Sequence, residues 1–148
     1  MQIIGLFLFI AGFIIGLGAV TVIDTLGFLG QKSSYWTLTT IRAHKVTKPL
    51  IWIGTILAIL GGYLFYKDVG LTGIPLTHMF IALILILNGS FLSFYVSPRL
   101  LKQEESGNAD QLLPVSLQRK IRVSFVASFV GWWSAVFLLT YYLVTYGA

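Results

Sequence analysis

Four stretches of this chain stay apolar for about the 20 residues that a helix needs to cross ~30 Å of hydrocarbon, and that pattern limits the fold most severely. They are Ile3–Ile23, Pro49–Tyr66, Pro75–Ser97 and Val123–Tyr146. None alternates polar and apolar residues as a barrel strand does, so backbone groups placed in lipid must be satisfied inside helices. Charge supports the same conclusion. Only 10 % of residues are charged and 57 % are hydrophobic, whereas a soluble domain carries about 25 % charged residues. The expected fold class is an all-α membrane protein, a four-transmembrane-helix bundle in one domain over 1–148, with helices at 3–24, 49–66, 75–97 and 120–146. The first run lacks a basic leading segment and is long for a signal sequence, so it reads as a retained helix. The absence of cysteine excludes disulfides, thiolate metal sites and thiol nucleophiles.

Basic residues set the expected orientation. Lys32, Arg42, Lys45 and Lys48 precede the second run, and Arg99, Lys102, Arg119, Lys120 and Arg122 lie between the third and fourth. Of the ten basic residues, Lys67 alone falls in the connection between the second and third runs. The positive-inside rule therefore predicts a multi-pass protein of the cell membrane with both termini outside and loops 25–48 and 98–119 cytoplasmic. The surplus of positive charge then meets anionic headgroups at the cytoplasmic face, not nucleic acid.

The connections differ in kind. In "SSYWTLTTIRAHKVTK", Ser33 or Ser34 suits a helix cap, and Tyr35, Leu38 and Ile41 follow on one side. This spacing predicts a short interfacial helix between helices one and two, over residues 33–47, with Pro49 in the first turn of the next helix. The polar stretch 102–117, "KQEESGNADQLLPVSL", reads as a mobile cytoplasmic loop.

Small residues recur at helical spacing: Gly12 and Gly16 in helix one, Gly54, Ala58 and Gly62 in helix two. Ser90, Ser93 and Ser97 form a stripe in helix three, and Ser124, Ser128, Gly131 and Ala135 do so in helix four. Such seams let helix backbones approach closely and gain contacts that lipid cannot supply. They serve packing within the chain or, alternatively, a homo-oligomer or another membrane partner.

Few polar groups remain that could carry chemistry. Arg42, His44, Lys45 and Lys48 form a cationic cluster at the entry to helix two and read as an interfacial anchor on lipid phosphates. Asp24 ends the first run, where a carboxylate is costly unless paired. An ion pair with Arg42, Lys45, Arg99 or Arg122 is expected, and a proton or cation relay is the functional alternative. Asn88, deep in helix three, calls for an interhelical hydrogen bond or a cavity. Trp132 and Trp133 either fill space left by the glycines of helix one or wall an apolar ligand pocket. His44 and His78 lie at opposite ends of antiparallel helices, about 30 Å apart at 1.5 Å per residue, so they cannot be two axial ligands of one haem.

The basic approach to "HKVTKPLIWIGTILAILGGYLFY", followed by "PLTHMFIALILILNG" and "VSPRLLK", resembles the small four-helix bacterial membrane proteins around the HemJ-type protoporphyrinogen oxidases and copper-resistance D-like proteins. Lys45, Pro49, Gly61 and His78 occupy the matching positions. The resemblance implies a haem- or porphyrin-binding redox membrane protein, with His78 and Met79 at the cofactor and Trp132 and Trp133 beside it. The residues themselves point first to a different class: a non-catalytic structural, accessory or partner-binding membrane protein. Small-solute transport ranks third, because no helix carries a polar stripe or paired intramembrane charges.

Overall fold

The computed structural model describes residues 2–109 and 111–146. Five α-helices follow in order: α1 Gln2–Gly30, α2 Ser34–Tyr66, α3 Ile74–Phe91, α4 Ser97–Glu105 and α5 Val115–Tyr146. A π-helical turn, Leu92–Val96, joins α3 to α4 without a break, so Ile74–Glu105 is one rod. The four rods are each long and apolar enough to cross a membrane. Large apolar side chains cover the outside of the bundle, Ile14, Leu87, Phe94 and Phe137 among them, as expected of a surface whose solvent is lipid.

All four helices outrun the spans expected from hydropathy, and α2 does so most. Its 33 residues extend about 50 Å at 1.5 Å per residue, well beyond ~30 Å of hydrocarbon. The separate interfacial helix expected over 33–47 is not formed. That segment continues into α2, and Pro49 lies inside the helix instead of opening it. Proline removes one backbone donor, leaving the Lys45 carbonyl without its usual partner, but packing holds the two sides in line. Thr37 is buried and its hydroxyl donates to the Gly30 carbonyl at 2.7 Å. Ile41, one turn on, is 1 % exposed. The polar connection is likewise shorter than 102–117, because Lys102 to Glu105 complete α4 and Val115 opens α5. Within it, the Gln103 side-chain amide donates to the Asn108 and Gln111 carbonyls at 3.0 and 2.8 Å.

Helices α1 and α2 form an antiparallel hairpin whose backbones touch. A Cβ on Gly12 would meet the backbone of Gly54 and Ala58, and one on Gly54 would meet the backbone of Gly12 and Gly16. The expected seam is therefore present, with one shift. Gly61, not Gly62, faces the partner backbone, and Gly62 meets the ring of Phe9. Four-residue spacing overshoots the 3.6-residue turn, so a stripe drifts by one position after two repeats.

The main core gathers Phe9, Phe13, Val20, Tyr66, Trp132, Ala135 and Leu139. A second cluster, Ile41, Val96, Leu100, Ala109 and Leu117, sits near the connections 31–33 and 106–114. This second end of the bundle carries every basic residue except Lys67, and is called the basic end below.

The seam predicts unequal responses to identical chemistry. Gly12→Ala or Gly54→Ala must push two backbones apart and should cost about 1–3 kcal/mol or more. Gly18→Ala, with nothing within 4 Å of the added carbon, should be neutral or stabilise the helix by up to ~1 kcal/mol. Thermal unfolding of the three variants in mild detergent, followed by circular dichroism, measures the difference. Equal loss in all three would contradict the seam.

Candidate functional site

A cavity of about 100 Å³ opens in the basic half of the bundle, and all five helices contribute to its wall. Ile23, Ile41, Ile51, Leu92, Val96 and Phe125 make it largely apolar. Three ionisable side chains face it: Asp24 from α1, and His44 and Lys48 from α2. The hairpin register places the first two close together. Gly12 lies against Ala58, Gly16 against Gly54 and Gly30 against Thr40. Asp24 thus falls opposite residue 46, and His44 is offset by two residues, about 3 Å along the axis.

Most polar groups on the wall are already partnered. The Thr37 and Thr40 hydroxyls donate to carbonyls, Thr40 to that of Trp36 at 2.7 Å. Trp52 donates its indole N–H to Ser93 Oγ at 2.9 Å. Gln118 donates to the Leu113 carbonyl at 2.8 Å, and Gln31 Oε1 accepts from Arg122 at 2.7 Å. Among the described residues, two buried atoms have no partner: Asp24 Oδ2 and His44 Nε2. An unmet buried donor or acceptor costs about 1–3 kcal/mol. Both side chains belong to the wall of one cavity.

The π-helical turn is part of the same wall, through Leu92, Ser93 and Val96. Ser97 N–H bonds the Leu92 carbonyl five residues back, and not the usual residue four back. In this register the next carbonyl, that of Ser93, would await the N–H of residue 98. Residue 98 is proline and has none. The Ser93 carbonyl accepts the Lys48 ammonium at 3.4 Å instead. Isolated π turns cost helix geometry and collect at functional sites. This one turns Ser93 toward Trp52 and Lys48 at the cavity edge.

The cationic cluster at the start of α2 is divided by its helical phase. Arg42 is exposed and Lys45 pairs with Glu104 of α4 at 2.8 Å, while His44 and Lys48, one turn apart, face inward. The ion pair expected for Asp24 is absent among the described residues: Arg42 is exposed, and the other three candidates are engaged elsewhere. Lys45 holds Glu104, Arg122 donates to Gln31, and Arg99 caps the Tyr95 carbonyl and covers its ring.

The remaining candidates lie apart from the cavity. Asn88 ties α3 to α5. Its amide donates to the Ser124 carbonyl at 2.9 Å and Ser128 Oγ at 2.8 Å, and its Oδ1 accepts from the Ser124 hydroxyl at 2.7 Å. Trp132 is 3 % exposed, with its ring filling the space beside Gly16. Trp133 and Met79 point outward, at 49 % and 46 % exposure. His78 is buried in the opposite half of the bundle. Its Nε2 lies 2.9 Å from the Ala135 carbonyl, which can only accept, so Nε2 carries the proton. Nδ1 then accepts from the Tyr66 hydroxyl at 3.2 Å.

These positions do not fit a haem. Both nitrogens of His78 are committed to the protein, and Met79 and Trp133 face away from it. The cavity at His44, about 100 Å³, is smaller than the ~150 Å³ cavity that holds benzene, whereas a porphyrin is built from four pyrroles. Sequence reasoning missed Trp52 and Ser93, although the spacing of Thr37, Ile41, His44 and Lys48 on one helical face was available to find the cavity wall.

Replacing Asn88 by leucine removes three bonds between α3 and α5 at nearly constant volume. A loss of about 1–2 kcal/mol is expected, the upper range for interhelical hydrogen bonds in lipid. Reversible unfolding in mixed micelles measures it, and an unchanged midpoint would rule out Asn88 as the tie between these helices. Compared with known proteins, the chain matches no family model, no curated protein and no solved structure.

Proposed function

We propose that this chain is a non-catalytic integral membrane protein that acts by binding, with the cavity at the basic end as its binding site. One observation carries the reading: Asp24 and His44, each with a buried polar atom that has no partner among the described residues, both line a single cavity. The neighbouring π turn supports it. No nucleophile is paired with a base on this wall, so the arrangement favours holding a guest over transforming it. An accessory role follows from the same features: the guest, or its arrival, is presented to a partner in the bilayer.

In this reading the basic end is cytoplasmic, with both termini and Lys67 outside, as the distribution of lysine and arginine favours. Arg42, Lys102, Arg119 and Lys120 are exposed there and meet anionic headgroups, each worth about 1 kcal/mol near such a surface. Lys48 and His44 take no part in that contact. The HemJ-like, porphyrin-binding alternative draws no support from His78, whose nitrogens are both engaged.

The chain contains no cysteine, so single introduced thiols report cleanly. Asn108→Cys should resist an impermeant maleimide in intact cells and react after lysis, while Val69→Cys should react in intact cells. The reverse pattern would invert the topology. For the cavity, Thr40→Cys should react with a small methanethiosulfonate and not with a bulky maleimide. Failure to react with either in a folded preparation would count against an accessible binding site.

A further inference from the structure

We propose that the outer groove between α3 and α5 is a site for one anionic phospholipid, with its phosphate on Arg99, Lys120 and Tyr95 and an acyl chain lying along α5. The groove shares no wall residue with the cavity, so the two sites stand or fall separately. It also differs from a diffuse contact of basic side chains with a charged surface, because its donors are held in place.

The groove is long and mostly apolar. Ile81, Ile84, Asn88 and Phe91 make one stripe on α3, spaced three or four residues apart. Val123, Ala127 and Val130 lie on the facing stripe of α5. Two adjoining hollows of about 660 and 630 Å³ share Val123 and Ala127, so they form one furrow. Asn88 directs its amide to Ser124 and Ser128 of α5. From Lys120 to Val130 the furrow runs about 15 Å at 1.5 Å per residue, the hydrocarbon depth of one leaflet, half of ~30 Å. A free phosphate would leave that length bare, whereas an acyl chain covers it.

Charge gathers at the basic end of the furrow. Arg119 and Lys120 line it, and Phe91 on its wall stacks on Tyr95 with ring centres 5.1 Å apart. Tyr95 holds two cations at once. Arg99 Cζ is 3.6 Å from the ring centre and Lys120 Nζ is 4.8 Å from it, so the charges are separated by no more than the sum of those distances. Like charges this close repel. Among the described residues neither has a carboxylate partner, since the ion pairs are Lys45–Glu104 and Lys67–Asp68. An anion between them relieves the repulsion.

Donors remain to hold that anion. Lys120 gives one of its three hydrogens to the Tyr95 hydroxyl at 2.8 Å, and Arg99 gives part of its fork to the Tyr95 carbonyl. The tyrosine hydroxyl accepts from the lysine and keeps its own hydrogen to donate. Three donors therefore converge from α4, α5 and the π turn, and the unesterified oxygens of a phosphodiester only accept. The headgroup must also be net negative. The choline of a zwitterionic lipid would bring another cation beside Arg99, Arg119 and Lys120.

Native mass spectrometry of the purified full chain in mild detergent, titrated with dioleoyl phosphatidylglycerol or dioleoyl phosphatidylcholine, tests this. One phosphatidylglycerol per chain should be retained, with about tenfold preference over phosphatidylcholine. Arg99→Gln with Lys120→Gln should lower that affinity about tenfold. Arg42→Gln with Lys102→Gln, which removes the same charge from the same end, should leave it nearly unchanged. Ala127→Phe keeps every cation but fills the furrow, and should weaken phosphatidylglycerol binding. Circular dichroism and monodisperse elution confirm folding, and the exposed single change Lys120→Gln decides the matter if the double variant misfolds.

Equal retention of the two lipids, or equal losses in the two double variants, would overturn the site in favour of diffuse charge. Undiminished binding in Ala127→Phe would overturn it too, as would displacement of the lipid by inorganic phosphate at a similar concentration. A dimer that Ala127→Phe converts to a monomer would assign the furrow to a second copy of the chain, and the proposal would fall.

Discussion

The close approach of α1 to α2 is the contact on which the rest of this structure depends. Lipid tails are as apolar as leucine, so burying apolar side chains gives helices little reason to associate. What the hairpin gains is dispersion and dipole contact between backbones, and only glycine at Gly12 and Gly54 permits it. The approach also sets a register. Once Gly12 faces Ala58 and Gly16 faces Gly54, Asp24 has to arrive beside His44, and Gly30 beside Thr37 and Thr40. The polar composition of the cavity is thus a downstream result of a glycine seam some way from it.

The other helices are attached by different means. α5 meets α1 through Trp132 against Gly16 and meets α3 through the Asn88, Ser124 and Ser128 cluster. His78 adds a tie from α3 to both α2 and α5, through Tyr66 and Ala135. Each bond contributes about 0.6–1.7 kcal/mol in a membrane, because the separated helices would find other partners. Several weak, directional ties hold the second pair of rods to a tight first pair. The cavity forms where these ties are sparse, below the tryptophan and above the Lys45–Glu104 and Arg122–Gln31 contacts.

Much of the fold was legible because hydrophobic length and small-residue spacing are direct consequences of lipid and backbone geometry. The four rods, the glycine seam, the structural use of Asn88 and the packing of Trp132 all follow from those two constraints. Helix continuity through Pro49 was not legible. Proline signals a break only when nothing else holds the chain in line, and here Thr37 is tied to Gly30 of α1 and Ile41 clusters with Val96, Leu100 and Leu117, far off in sequence. The cationic cluster misled for a related reason. Composition makes Arg42, His44, Lys45 and Lys48 a single group, whereas helical phase sends two outward and two inward. The ion pair expected for Asp24 failed because Arg42 is exposed and the other three candidate cations are already engaged.

The π turn links these threads. Proline at position 98 removes the N–H that the Ser93 carbonyl would take, and the wider turn aims that carbonyl at Lys48. With its ammonium bound there, Lys48 forms no ion pair with Asp24 among the described residues, and Ser93 Oγ also occupies Trp52. The lysine on the cavity wall is therefore held by the geometry of the π turn. The irregular turn gives the inward-facing Lys48 a partner on the cavity wall, and Asp24 is left without an ion pair among the described residues.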